Sequence, residues 1–140
     1  MPELKDLPKM ALRARARAYA PYSSFQVGAA LLCDDGSVYT GCNIENAAYS
    51  VTCCAVRVAL FSAVSAGRRA VRAIAIAGGP AGDAPREHCA PCGVCRQALA
   101  EFCDPETFRV YLAAPGGGVE ETTLGALLPR AFARANLDKS

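Results

Sequence analysis

The element order helix, hairpin, helix, strand, helix, strand indicates an α/β fold, a mixed sheet with helices packed on both faces. Two further observations support it. The chain has 140 residues, 52% of them hydrophobic and 20% charged, which suits a full apolar core and argues against disorder. No internal repeat, linker or shift of composition divides it, so residues 1–140 are expected to form one domain.

Taken in order, residues 7–20 read as the first helix. Asp6 serves as its N-cap, Pro8 is tolerated in the first turn, and Pro21 ends it. Leu7, Met10, Ala11, Ala14 and Ala18 form a narrow apolar stripe, with the arginines on the opposite face. Phe25 to Leu32 alternates and then turns wholly apolar, as a half-buried strand does, and Asp34-Asp35-Gly36 turns it into a second strand, Val38 to Gly41. Cys54 to Ala66 is the next helix. Its small residues Ala55, Ala59, Ser62, Ala63 and Ala66 permit close approach of a neighbouring layer, and Gly67 stands at its C′ position. Val71 to Ala77 is an apolar run of strand length, and residues 78–90, rich in glycine, proline and charge, read as a surface loop. Cys92 to Phe102 forms a third helix and Phe108 to Leu112 another strand. Ala114 to Val119 reads as a loop, Thr123 to Leu128 as a short helix before Pro129, and Arg130 to Leu137 as a weakly helical tail.

Net charge is only +2, and the basic excess is local: Lys5, Lys9, Arg13, Arg15 and Arg17 stand against Glu3 and Asp6 in the first twenty residues. No aromatic residues interleave with these cations, so they read as a solvated helix face, and no nucleic-acid partner is expected. The N-terminus is charged and lacks the apolar centre of a signal peptide, and no stretch is long and apolar enough to span a membrane. A cytoplasmic protein with no membrane partner is the expectation. Disulfides are rare in that compartment, so eight cysteines need another account.

Two segments supply part of it: Cys53-Cys54-Ala55-Val56-Arg57 and Pro91-Cys92-Gly93-Val94-Cys95-Arg96-Gln97. Cys54, Cys92 and Cys95 sit at the starts of two predicted helices, and three thiolates so placed can close on one zinc and leave a fourth position for water. Alternatively, His88 or Cys89 fills that position and the site is a closed, structural one. Cys33, Cys42, Cys53, Cys89 and Cys103 otherwise read as buried free thiols. Three thiolates on a divalent zinc carry a net negative charge, which weakens its power to acidify water; the positive ends of the two helices offset part of this. Arg57, three residues after Cys54, and Arg96, directly after Cys95, are expected to donate hydrogen bonds to thiolate sulfur, or else to be plain surface charges. Asn43-Ile44-Glu45-Asn46, at the end of the second strand, reads either as a set of turn formers or as an edge that binds hydroxyl groups.

The motif set resembles that of the small, homotetrameric type of zinc-dependent cytidine deaminase. The resemblance rests on Tyr22-Ser23-Ser24-Phe25-Gln26-Val27-Gly28-Ala29-Ala30, on Gly41-Cys42-Asn43-Ile44-Glu45-Asn46-Ala47-Ala48-Tyr49, on Thr52-Cys53-Cys54-Ala55 with Arg57, on Pro91 to Gln97, and on Leu127-Leu128-Pro129, in unbroken order over roughly residues 8–132. It implies a three-layer αβα sandwich on a five-stranded mixed sheet, and one zinc per subunit on Cys54, Cys92 and Cys95. It implies a pyrimidine nucleoside as substrate, with Asn43 and Glu45 on the ribose hydroxyls, Phe25 beside the base, and Ala55 in the same pocket. It also implies a homo-oligomer, a tetramer, in which Tyr49 and Phe132 reach a neighbour's site.

At one position the pattern departs from the family. The zinc deaminases of nucleobases place a Glu two residues after the first ligand, and here Val56 stands there. That Glu moves the protons of hydrolytic deamination: one off the attacking water, one to N3 of cytosine, one to the departing amine. General acid–base catalysis is typically worth about 10²–10⁴ in rate. A residue serving several transfers lies at the top of that range or beyond, roughly 5 kcal/mol or more of barrier. No substitute stands out: Glu45 is assigned to ribose, Cys53 points away from Cys54's direction, and Glu87 and His88 belong to a loop. The expectation is a cytidine deaminase with its fold and zinc site intact and its acid–base step disabled. The alternatives are a relative with altered chemistry at N4 of cytosine nucleosides, or a non-catalytic nucleoside-binding protein.

Overall fold

The computed structural model describes residues 3–84 and 88–137. After a 3₁₀ turn at Leu4–Asp6 the chain forms α1 (Leu7–Arg15), β1 (Phe25–Cys33), β2 (Val38–Cys42), α2 (Ala55–Ser65), β3 (Val71–Pro80), α3 (Gly93–Ala100), β4 (Arg109–Ala113), β5 (Val119–Thr123), α4 (Leu124–Leu127) and α5 (Arg134–Leu137). The strands make one five-stranded sheet in the order β2-β1-β3-β4-β5. β3 and β4 run parallel, joined by the α3 crossover, and the other neighbours are antiparallel. This is the expected α/β sandwich on a mixed sheet.

Residue size explains the layers. On β3, Ile74 and Ile76 face a cluster with Ala55, Val56, Ala59, Leu60, Cys95 and Leu99 of α2 and α3, while Ala73, Ala75 and Ala77 face Leu7 and Ala11 of α1. The alanine face lets α1 lie close to the sheet. At Gly28 the approach is closest: a Cβ there would stand 2.0 Å from the Ala11 carbonyl oxygen. On the other face Gly41 performs the same service for α2, a Cβ meeting the Ala59 nitrogen at 2.5 Å. The alanine face of α2 is borne out at Ala55, Ala59 and Ala63, which are buried, whereas Ser62 and Ala66 lie exposed. Gly67 adopts the left-handed conformation (φ 96°) expected just past that helix.

Several sequence expectations are corrected. α1 ends at Arg15, not at residue 20, because Tyr19 leaves the helix to pair with the end of β2: its N–H donates to the Asn43 carbonyl (3.0 Å) and its carbonyl accepts from the Glu45 N–H (2.8 Å). Asp6 occupies the N-cap position but caps nothing in α1; its carboxylate accepts from the Glu3 N–H at 2.9 Å. Arg15 does not join the solvated face. Its guanidinium folds inward to donate to the carbonyls of Gln26 (2.9 Å) and Pro80 (2.7 Å), tying α1 to the ends of β1 and β3. β3 runs on to Pro80, through residues read as loop, because β1 supplies ladder partners as far as Phe25↔Pro80. β5 is absent from the strands read off the residue pattern; it is an exposed edge held by its register with β4.

Because β3 runs antiparallel to β1, the end of β3 lies beside the start of β1. The end of β2 at Asn43 reaches the same edge, its N–H donating to the Val27 carbonyl at 3.2 Å. Cys54 and Cys92, the N-cap residues of α2 and α3, belong to the same cavity as Phe25 and Asn43, so that sheet edge carries the site.

Candidate metal centre and adjoining cleft

Cys54 and Cys92 hold extended backbone angles at the helix starts, and Cys95 follows Cys92 by three residues on the first turn of α3. The three Sγ atoms lie within 4.8 Å of one another, with Cys54 to Cys92 at 3.9 Å and Cys92 to Cys95 at 3.3 Å. Tetrahedral zinc with sulfur at about 2.3 Å calls for sulfur pairs about 3.8 Å apart, so the donor set fits that ion. Neither candidate for a fourth protein ligand joins the three. Cys89 falls outside the cluster, and His88 turns its Nε2 toward the Glu120 carboxylate, 3.6 Å away. Among the described residues the arrangement is therefore an open, three-ligand site.

Electrostatics favour thiolate at Cys54. Hydrogen bonding from Cys95, with further help from Arg57 and Cys92, lowers the Cys54 thiol to about 5, and the same coupling pushes Cys95 upward. Arg57 Nη2 donates to Cys54 Sγ at 3.3 Å, and the sulfurs hold the guanidinium firmly protonated. Arg96 does not meet the expectation of a sulfur contact. Its Nε donates to the Pro91 carbonyl and its Nη1 to the Leu127 carbonyl, both at 2.7 Å, so it braces the peptide ahead of Cys92 against α4.

Beside the sulfurs lies a cavity of about 320 Å³, whose wall includes Phe25, Asn43, Glu45, Ala55 and Val56 together with the three cysteines. Val56 is 3% exposed and presents only methyl groups to it. Asn43, 8% exposed, clamps the start of β1: its Oδ1 accepts from the Val27 N–H and its Nδ2 donates to the Phe25 carbonyl, both at 2.9 Å. One lone pair and one amide proton remain for a ligand. The Glu45 carboxylate accepts from the N–H groups of Tyr22 (2.9 Å) and Ser23 (3.1 Å) and, in a short contact, from the Ser23 hydroxyl. These bonds, the hydroxyl's foremost, hold its pKa below the usual carboxylate value.

Tyr49 and Phe132 are not part of this cavity. Tyr49, 76% exposed, lines an adjoining cleft with Tyr22, Ser23, Glu45 and Thr52, its ring edge-on to Tyr22 at 6.2 Å between centroids. Phe132 is 63% exposed, and its carbonyl accepts from Gln97 Nε2 at 2.8 Å. Cys53 pairs its backbone with Ile44 and is not in the cavity wall, and Glu87 lies outside the described residues. Contributions that the sequence reading did not assign include the hold of Ser23 on Glu45 and the places of Ile76 and Cys89 in the cavity wall, the last read only as a possible ligand or a buried thiol. Only the fold brings them there, since nothing in their local sequence signals it.

An αβα scaffold presenting three cysteines at two helix starts, beside a cleft with a carboxylate and an amide, defines the zinc-dependent nucleobase deaminase class. The model of the cytidine and deoxycytidylate deaminase zinc-binding region matches residues 1–111. The chain is 51% identical over 125 residues to the cytidine deaminase of Sporosarcina psychrophila, covering 89% of this chain and 88% of that protein. It is also 51% identical over 132 residues to that of Halalkalibacterium halodurans, with 94% and 96% covered. Among solved structures, cytidine deaminase from Burkholderia pseudomallei superposes with a TM-score of 0.84 at 47% identity, over 94% of this chain and all of that one. The enzyme from Mycobacterium tuberculosis does so at 0.77 and 39%, over 94% and 98%. The chain belongs to the cytidine deaminase family, and its cysteine cluster is fitted to one zinc per chain.

Proposed function

We propose that this chain is a cytidine deaminase in scaffold, zinc site and nucleoside recognition, with deamination severely impaired because Val56 occupies the place of the proton-carrying Glu. One observation carries the reading: Val56 lines the cavity beside Cys54, Cys92 and Cys95, and the cavity's wall holds no carboxylate but Glu45 among the described residues. Zinc, when bound, would lower the pKa of water at its open position and so supply a nucleophile.

The chain's own residues set everything else. Cys54, Cys92 and Cys95 hold the ion, and Arg57 offsets their negative charge. Asn43 and Glu45 take the ribose hydroxyls with the polar capacity left to them, and Phe25 and Ala55 pack against the base. Arg96 serves by fixing the Pro91 peptide. Val56 neither accepts nor returns a proton. Glu45 is a poor stand-in: it is fixed by Tyr22 and Ser23 and held ionised, which weakens it as a base. The substrate class is cytidine, which the names of the relatives support, or deoxycytidine, and the product of full activity is the uridine counterpart, a step of pyrimidine salvage.

The same reading makes the protein a single-domain, cytoplasmic homotetramer. Exposed Tyr49 and Phe132 support contact with neighbouring subunits, and the eight free cysteines suit a reducing compartment. No described helix is long and apolar enough to cross a membrane.

Cytidine turnover by this chain and by Val56→Glu, with zinc quantified in both, tests the reading. Turnover only in the Glu form, at equal zinc, is expected. Equal turnover would contradict it, and turnover in neither would favour a non-catalytic nucleoside binder.

A further inference from the structure

Most of the cavity wall is rigid by construction. Val27 and Ile76 belong to paired strands, and Ala55 and Val56 to the first turn of α2. Cys89 differs. It lies on the segment before α3, outside any helix or strand, and it borders the cavity together with Phe25. Its seat is a missing side chain. A Cβ on Gly78 would stand 2.6 Å from Cys89 Sγ, 2.9 Å from Cys89 Cβ and 3.2 Å from Phe25 Cε1. Gly78 has an ordinary backbone conformation, since it is not among the positive-φ glycines. Glycine at this position makes room for the two side chains rather than for a turn. Gly78 is also fixed, opposite Val27 in the β1–β3 ladder. Cys89 and Phe25 therefore share a floor that cannot recede.

We propose that Cys89, seated on Gly78 against Phe25, is a specificity-determining residue that limits the size of substituent tolerated on the apolar edge of the pyrimidine ring. The proposal rests on the nucleoside reading above. In that reading the sugar lies toward Asn43 and Glu45, and the reacting carbon toward the cysteines. Between them the ring has two edges. The one bearing O2 and N3 needs hydrogen-bond partners. The one bearing C5 and C6 needs only contact, and a neutral thiol beside a phenyl ring offers contact alone. Burial pushes the Cys89 thiol up, in keeping with an uncharged wall.

The test uses the zinc-loaded chain as it stands and reads calorimetric dissociation constants for cytidine and for 5-methylcytidine. The quantity of interest is their ratio. A methyl group in an apolar pocket is worth about tenfold or more in discrimination. Cys89→Ala should reduce the penalty on 5-methylcytidine relative to cytidine by about that factor. Gly78→Ala should increase the penalty by pushing the thiol into the cavity, and Gly78→Ala combined with Cys89→Gly should recover the parent ratio. A ratio unmoved by both single changes, with zinc content intact, would overturn the proposal. A chain that binds neither compound would overturn the nucleoside reading and this inference with it. A chain that binds cytidine normally but ignores Cys89 would overturn the inference alone.

Discussion

Val56 shows how one side chain can separate fold from chemistry. An apolar residue suits its buried position between α2 and the sheet, so nothing in packing opposes it. The same burial places its methyl groups where a proton carrier is needed. Glu45 is instructive from the other side. Its pKa is lowered chiefly by the Ser23 hydroxyl, so its ionised form contributes stability at pH above its unfolded value, and that contribution is lost as pH falls through its folded value. Ser23→Ala should therefore raise the Glu45 pKa toward the ordinary carboxylate range and move the acid limb of stability to higher pH. A carbon-13 NMR titration of the carboxyl group checks this, and an unmoved titration would show that the backbone N–H donors alone set it. The metal ligands were legible in the sequence because their spacing is local to helix starts. The hold of Ser23 on Glu45 and the seat of Cys89 on Gly78 were not, because their partners lie on other elements.

At the scale of elements, the surroundings of the site are braced by two arginines, one at the sheet edge and one between α3 and α4. Arg15 reaches two strand ends and Arg96 joins the Pro91 peptide to α4, and each acceptor is a backbone carbonyl, which no residue pattern reveals. Arg15→Ala should cost about 2 kcal/mol, the scale of losing charge-assisted hydrogen bonds at a partly buried position. Urea unfolding monitored by circular dichroism measures it, and a loss within about 0.5 kcal/mol, the range of an ordinary surface substitution, would mark the clamp as incidental. The helices and the β1–β2 hairpin were readable because their apolar periodicity is intrinsic to the sequence. The early stop of α1 and the extension of β3 were not, since pairing with Asn43–Glu45 and with β1 decides them. β5, Val-Glu-Glu-Thr-Thr, carries too much charge to announce itself and exists because β4 offers it a partner.

Over the whole molecule, the three-cysteine cluster joins α2 to α3, the helix of the β3–α3–β4 crossover. An ion bound to the folded state alone stabilises it by about 4 kcal/mol when present at a thousand times its dissociation constant. Stripping zinc with a chelator should then lower the melting temperature by about 10 °C or more, read by differential scanning calorimetry. An unchanged melting temperature with zinc confirmed absent would show that the fold does not depend on the ion.

The central claim, that the scaffold is complete and only the acid–base step is missing, is tested most directly by steady-state deamination of cytidine at saturating substrate. The rates to compare are those of the zinc-loaded chain, Val56→Glu and Val56→Gln. The account predicts that Val56→Glu raises kcat by about 10⁴ or more, while Val56→Gln, close to Glu in shape but unable to carry the proton, stays near the parent rate. Equal recovery by Gln, or a parent rate already matching Val56→Glu, would contradict it.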